Sequence, residues 1–262
     1  IKDFDVVGDH SWAKWSYSTG KAEIVGTTHS VSSYQRPPRD FPCFLGVSHP
    51  HARYLTGALK TPHRVAWNPV KAEDYPLSRD KVDRILSLNR IMVQKGIHSF
   101  VNLCEKTKTK GDVAGEDVVL NGDPNYVNSI KQSCAKSAVA NYVGAVSEKE
   151  KLRLLQQSKV LVCFIDAGYQ EVFGLAAVEA LLCGTPVVAA NTWGFSDIVV
   201  NGKNGFLVNN FDEACAAVAK IMDGTEKFSP EACRESAMRF SLENSSKAYE
   251  GLLKSVKGGS RW

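Results

Sequence analysis

The 262-residue chain predicts an α/β protein on a doubly wound parallel sheet, from three observations. From about residue 80 onward, short apolar runs alternate with segments whose apolar residues recur every three to four positions. Val160-Leu-Val-Cys-Phe-Ile165 is a continuous apolar run, which suits a strand buried on both faces. That run leads through an acidic, Gly-containing loop into an apolar helix, which Gly184-Thr-Pro186 stops before Val187-Val188 opens another strand. Short connections between alternating elements imply right-handed crossovers and parallel neighbours.

The elements follow in order. Ile85 to Leu88 reads as a strand, and Lys95 to Lys106 as a helix with Ile97, Phe100, Val101 and Cys104 on one face. A short strand near Val113 or Val118 precedes a helix opened by Asp123-Pro124, an N-cap and first-turn pair. Val139 to Val143 is the next strand. Ser147-Glu-Lys-Glu150 has the form of a capping box for the helix carrying Leu152 and Leu155. Strands at 160–165, 186–190 and 205–208 come next. Cys215, Val218, Ala219 and Met222 mark a helix face, and helices from about 230 into the 250s close the chain.

The first 75 residues differ, being richer in Pro, His and aromatic side chains. Val6-Val7, Glu23 to Thr27 and Phe44 to Val47 are candidate strands, and three strands with few helices make an incomplete domain. Asn68 to Pro76 reads as a connector. The expected division is a partial N-terminal domain over 1–75, a Rossmann-like ligand-binding domain over 76–240, and a C-terminal helix and tail over 241–262. The chain begins at Ile1 rather than Met, which raises the expectation of further sequence upstream.

Composition excludes several classes. The 32 basic and 28 acidic side chains are well mixed and leave a net charge of +4, so no basic block marks a nucleic-acid surface. The seven cysteines form no CxxC pair, which reads as reduced thiols in a cytoplasmic protein rather than a disulfide framework. None has the surroundings of a nucleophile. No apolar run approaches the ~20 residues that span a bilayer, so no integral membrane segment is expected. His49 and His51 lack an acid or thiol set around them and read as surface or helix-cap residues, and no metal site is expected.

Chemistry concentrates at Glu171 and Glu179, eight residues apart on either side of a helix start. At first sight they form a carboxylate pair of glycosidase type. A helix N-terminus following a buried strand is also where α/β proteins hold anions.

Several further segments, in the right order, carry a family resemblance. They are Asn89-Arg-Ile-Met-Val-Gln-Lys95-Gly96, Tyr142-Val-Gly-Ala-Val146, the Glu-x7-Glu spacing of Glu171 and Glu179, Gly184-Thr-Pro-Val-Val188, and Gly194 to Val199 followed by Asn201 to Leu207. Over Arg90 to Val208 the chain resembles the donor-binding half of retaining glycosyltransferases of the GT-B fold, the group 1 or GT4-like family. Thr27-Thr-His29-Ser30 and Val47-Ser48 resemble strand ends of the acceptor-side domain more thinly.

The resemblance implies sugar transfer from a nucleotide-diphosphate sugar (UDP-, GDP- or ADP-linked) to a glycan, lipid or small-molecule acceptor, with retention and without metal or cofactor. A lipid acceptor would bring the protein to a membrane surface without inserting it. Arg90 and Lys95, at a strand end and the next helix start, suit the diphosphate as a guanidinium fork and a point charge. Glu171 is implied at the transferred sugar, Glu179 at the ribose hydroxyls, and Gly144 and the amides of Phe173, Gly174 and Leu175 around the donor. In the family a His at such a strand end faces the sugar, which puts His29 among the catalytic candidates, although a lone His after a strand also reads as structural. Asn89, Trp193 and Asp197 depart from the family pattern, and so does the absence of a Gly-rich loop before Asp5. The N-terminal domain is accordingly expected to be short, a fragment or a reduced version. A phosphorylase, a nucleotide-sugar epimerase or a non-catalytic nucleotide-sugar-binding remnant on the same architecture stays open.

Overall fold

The computed structural model describes residues 6–9, 23–29, 43–59, 63–117, 123–166 and 168–259. The chain divides into two compact units, the first made of Ile1–Val70 with Arg239–Trp262, the second of Lys71–Met238.

In the first unit β1 (Val6–Asp9), β2 (Glu23–Thr28), β3 (Cys43–Gly46) and β4 (His63–Val65) form a parallel sheet in that order. Helix α1 (His49–Leu59) follows β3, and α9 (Leu242–Lys257) is the last element of the chain. The closing helix therefore belongs with the N-terminal residues, where the sequence reading had set it apart. Its apolar face, Tyr249, Leu252, Leu253 and Val256, packs on the core of Val25, Cys43 and Leu45. Backbone bonds from Val70 to Phe240 (2.9 Å) and from Leu242 to Val70 (2.8 Å) tie the two segments of the unit.

Helix α1 and strand β4 escaped the sequence reading. Strand β4 has only three residues, and the helix starts with Ser48-His-Pro-His51, which looks like a loop. The start is nevertheless well formed. Ser48 Oγ accepts the His51 amide at 3.3 Å, and Pro in the first turn lacks only a donor that would go unused. His51 is not a surface residue but fully buried, its Nδ1 accepting the Val47 amide at 3.3 Å.

The second unit holds β5 (Val82–Leu88), α2 (Ile97–Thr107), β6 (Gly111–Ala114), α3 (Pro124–Lys136), β7 (Ala140–Gly144), α4 (Glu148–Gln157), β8 (Ser158–Cys163), α5 (Leu175–Leu182), β9 (Val187–Ala190), α6 (Trp193–Ile198), β10 (Gly205–Val208), α7 (Phe211–Met222) and α8 (Pro230–Ala237). Of the two positions expected for the strand after α2, the structure takes the Val113 one, and Val118 lies outside the described residues. All six strands are parallel, in the order β10-β9-β8-β5-β6-β7. The strand order reverses between β5 and β8, which creates a topological switch point.

Helices α2, α3 and α7 share one core with Ile85, Val113, Val160, Val162 and Val188. Helices α4 and α5 pack on β5, β8 and β9. The caps match their sequence signals. Asp123 accepts the Asn125 amide at 2.9 Å and Ser147 the Glu150 amide at 3.2 Å. The Glu150 carboxylate, however, turns to Arg153 at 2.7 Å rather than back to its own cap. Among the described residues no helix is long and apolar enough to cross a membrane.

All seven cysteines are free and buried. Burial pushes the thiols of Cys104, Cys183 and Cys233 up to about 12 and that of Cys134 to about 11. Burial also brings Lys81 down to about 8, its ammonium donating to Thr185 Oγ1 at 2.6 Å and the Gln156 carbonyl at 2.7 Å. An unfolded thiol ionises near 9 while the native thiol keeps its proton, so the native state binds more protons and stability falls as pH rises past 9. Lys81 acts oppositely between about 8 and 10.5, as one group against several. Urea midpoints should therefore decline as pH rises from 9 toward 12, and a thiol reagent should modify the cysteines only on unfolding. Rapid labelling of the native protein would contradict this burial.

Candidate functional site

The site grows from the loops after β5 and β8, on the two sides of the switch point. Beyond Leu88 the chain turns through Asn89 and Arg90, makes a single 3-10 turn at Val93–Lys95, and enters α2 through Gly96. Gly96 has φ of 58° and lies against Phe164, where a Cβ would sit 2.6 Å from the Phe164 Cβ. Only a glycine accommodates both the positive φ and that approach. The two loops are further joined by the Asp166 amide donating to the Gln94 carbonyl at 3.1 Å.

This geometry brings Lys95 and Glu171 into a direct ion pair, with side chains only 7% and 14% exposed. Lys95 is thus no solvated surface lysine. Its ammonium also lies 5.0 Å from the centre of the Tyr169 ring. The Glu171 carbonyl accepts the Gly194 amide at 2.8 Å, which holds the acidic loop against α6. A side chain at Gly194 would meet the Phe173 backbone at 2.3 Å. Gly174 caps α5 with φ of 105° beneath the Phe195 ring, and Phe173 and Phe195 are both buried. The first-turn amides of α5, beginning at Leu175, point out of the helix N-terminus with its positive dipole end.

Arg90 follows the same strand as Lys95 but is exposed, and it makes no ion pair among the described residues. Gly144 ends β7 with φ of 75°, and its carbonyl accepts the Gly115 amide at 2.8 Å. His29 belongs to the first unit, exposed at the end of β2, and Ser30 of its motif lies outside the described residues.

Glu179, implied by the resemblance at the ribose hydroxyls, already has partners within the chain. Its Oε1 accepts the Tyr75 hydroxyl at 2.7 Å and lies 3.5 Å from Lys151 Nζ, which itself donates to Tyr75 at 3.0 Å and pairs with Glu148 at 2.7 Å. A carboxylate in an apolar helix needs such partners, and the chain supplies them from the connector and from α4. Both contacts fall on Oε1, so Oε2 carries no hydrogen bond among the described residues. Burial raises the Glu179 carboxyl above its usual range against the lowering effect of Tyr75 and Lys151. Burial likewise pushes Tyr75 up to about 12. On Lys151 the downward pull of burial is outweighed by its bonds to Glu148 and Tyr75.

Sequence reasoning missed Tyr75, Lys151, Tyr169 and Gly194 as site residues. Tyr75 and Lys151 lie 104 and 28 positions from Glu179, a distance no periodicity reports. Gly194 was signalled only as part of a motif. Among the described residues no cluster of three or more His, Cys, Asp or Glu side chains gathers.

Comparison with known proteins agrees with this geometry. The family described as glycosyl transferases group 1 matches residues 73–239. A probable sucrose-phosphate synthase of Thermosipho melanesiensis is 33% identical over 120 residues, covering 45% of this chain and 28% of that protein. A 41.2 kDa protein of the cps region of Klebsiella pneumoniae is 31% identical over 192 residues, covering 71% of this chain and 49% of that protein. The chain thus spans between a quarter and a half of these relatives' length. Among solved structures, HepE of Anabaena in complex with UDP and glucose superposes with a TM-score of 0.79 at 17% identity, covering 96% of this chain and 78% of that one. At such identity the likeness carries the fold, which is GT-B.

The buried pair makes its own prediction. Lys95→Met leaves Glu171 charged and unpartnered, and should destabilise the protein by about 3–5 kcal/mol. Lys95→Met combined with Glu171→Leu should recover most of that loss in urea unfolding. Additive losses in the double variant would show that the two side chains do not act as a pair.

Proposed function

Because the chain belongs to the glycosyl transferases group 1, we propose that it transfers a sugar from a nucleotide-diphosphate donor to an acceptor hydroxyl, with retention and without a metal. The observation that carries this reading is the buried Lys95–Glu171 pair at the switch point, the crevice where open α/β sheets take ligands. A buried ammonium already held by a carboxylate can exchange that partner for a phosphate oxygen at modest desolvation cost. Diphosphate entry then draws Lys95 from Glu171 and frees the carboxylate for a hydroxyl of the transferred sugar. Arg90, exposed beside the same crevice, adds a guanidinium fork for the phosphates. The α5 N-terminus contributes its dipole and amides through Phe173, Gly174 and Leu175.

In the transfer step the bond from the anomeric carbon to the leaving phosphate oxygen breaks, and the acceptor oxygen bonds to the same face. The departing phosphate oxygen takes the acceptor's proton. Lys95 and Arg90 stabilise the charge that develops on the leaving diphosphate. Glu179, with Oε1 fixed by Tyr75, offers Oε2 to the ribose hydroxyls. Gly144, at a strand end, leaves room for close approach of the nucleotide, and His29 is assigned to the sugar from the first unit by resemblance alone.

UDP is the preferred donor nucleotide, on the strength of the nucleotide bound by the Anabaena neighbour. The thiols, all buried and unpaired, support a cytoplasmic location. The charge mixed along the chain argues against a nucleic-acid acceptor.

Calorimetry with UDP and product analysis with UDP-sugars test the reading. Lys95→Ala should lower turnover by roughly 10²-fold, as expected for loss of a preorganised charge at a leaving group. Glu179→Ala should weaken UDP binding, and EDTA should change neither quantity. Cleavage that requires inorganic phosphate would replace the transferase by a phosphorylase, and UDP binding without turnover of any donor would leave a binding protein.

A further inference from the structure

Three side chains from three parts of the second unit meet beside the acidic loop. They are His98 in the first turn of α2, Tyr126 in the first turn of α3, and Asp166 shortly after β8. We infer that His98, anchored by Tyr126, is a positioning residue that holds the acidic loop, and with it Glu171, in place for the transferred sugar. The inference deepens the transferase reading and rests on it for the place of that sugar.

The anchor comes first. Gly96 is required at the start of α2 by the approach of Phe164, and it brings no side chain to cap the helix. The Tyr126 hydroxyl takes that duty from the neighbouring helix, accepting the His98 amide at 3.2 Å. The same oxygen lies 3.1 Å from His98 Nδ1, and the two rings meet edge to face with centres 5.9 Å apart. Burial raises the Tyr126 hydroxyl above its usual range, so it keeps its proton and can serve the imidazole as donor or acceptor. Backbone and ring of His98 are thus tied to one oxygen, which leaves Nε2 to face the loop.

Nε2 faces Asp166, whose Oδ1 is 3.6 Å away, an ion-pair rather than a hydrogen-bond distance. Asp166 is in turn the joint of the loop. Its amide donates to the carbonyl of Gln94, the neighbour of Lys95, and its carbonyl accepts the Tyr169 amide, both at 3.1 Å. Tyr169 sets its ring 5.0 Å from the Lys95 ammonium, just ahead of Glu171 in the chain. A shift of Asp166 would therefore reach both members of the buried pair.

Magnitude separates this role from a structural one. The His98 and Asp166 side chains are 42% and 33% exposed, and pairs so open to water add little to stability. Small misplacements of a group that meets the substrate, by contrast, cost turnover steeply. The contact therefore bears on turnover more than on folding.

The test is a set of variants in the full chain, His98→Ala, His98→Gln and His98→Asn. The Gln amide nitrogen can reach the place of Nε2, whereas the Asn amide ends at the place of Nδ1. In His98→Ala, turnover of the UDP-sugar that the parent uses should fall about tenfold at saturation, the cost of a misplaced carboxylate. UDP affinity by calorimetry and the urea midpoint should stay at the parent's values, since UDP carries the diphosphate but not the sugar. His98→Gln should recover most of the turnover, and His98→Asn should not. Without any donor, amide hydrogen exchange at Asp166 and Tyr169 should quicken several-fold in His98→Ala and return toward the parent's rate in His98→Gln. Unchanged exchange or unchanged turnover in His98→Ala would overturn the inference. So would equal rescue by Asn, or a joint loss of turnover and UDP affinity. A parent that turns over no donor would instead fail the transferase reading, and the exchange rates would still decide whether His98 holds the loop.

Discussion

The second unit depends on one interaction more than any other, the buried ion pair of Lys95 and Glu171. An ammonium with so little exposure is costly to bury without a partner. Its partner comes from a loop 76 residues away, so the two loops must meet with little tolerance. The surrounding backbone serves that meeting. The Asp166–Gln94 bond and the contact of Gly96 with Phe164 bring the loops together from one side, and the Gly194 amide fixes Glu171 from the other. Removing one charge would leave the other stranded. The pair is therefore the main electrostatic constraint on the crevice.

Close backbone approach is the second requirement, and glycine meets it at points the sequence only hints at. A Cβ on Gly115 would fall 1.7 Å from the Asn89 carbonyl oxygen, so the loop bearing Arg90 can pass beside β6 only because that side chain is missing. Gly194 does the same for the loop bearing Glu171. Neither residue touches a ligand in order to matter. Each lets a chemically active loop lie against its neighbour.

The alternation of strands and helices after residue 80 was legible because each element carries its own period, whereas the strand order turns on the non-local return of β8 to pair with β5. Glu171, Lys95, Gly174 and Glu179 were legible because they fall in local motifs. What was not legible is non-local or short. Helix α1 hides behind Ser48-His-Pro-His51, and β4 is too brief to show alternation. Tyr75 sits in what reads as a linker, and Lys151 looks like one of many charges on α4. Nothing local says that the two converge on Glu179. Similarly, α9 reads as a free-standing tail because its apolar face, Tyr249, Leu252, Leu253 and Val256, gives no address for the strands it covers.

The two carboxylates that first suggest a glycosidase are separated by their surroundings. In a glycosidase one acid keeps its proton and both face a common reaction space. Here Glu171 is committed to an ammonium at the strand ends, while Glu179 lies one turn into α5 and is committed to a phenol and a second ammonium. Each has its own cation and its own surroundings, so the two do not face one reaction space. Both Glu179 contacts fall on one oxygen, which holds the carboxylate still while leaving the other oxygen available. A carboxylate arranged in this way is suited to accepting hydrogen bonds from a diol rather than to transferring a proton. The eight-residue spacing thus sets two separately paired carboxylates on either side of one helix N-terminus, each with an ammonium of its own.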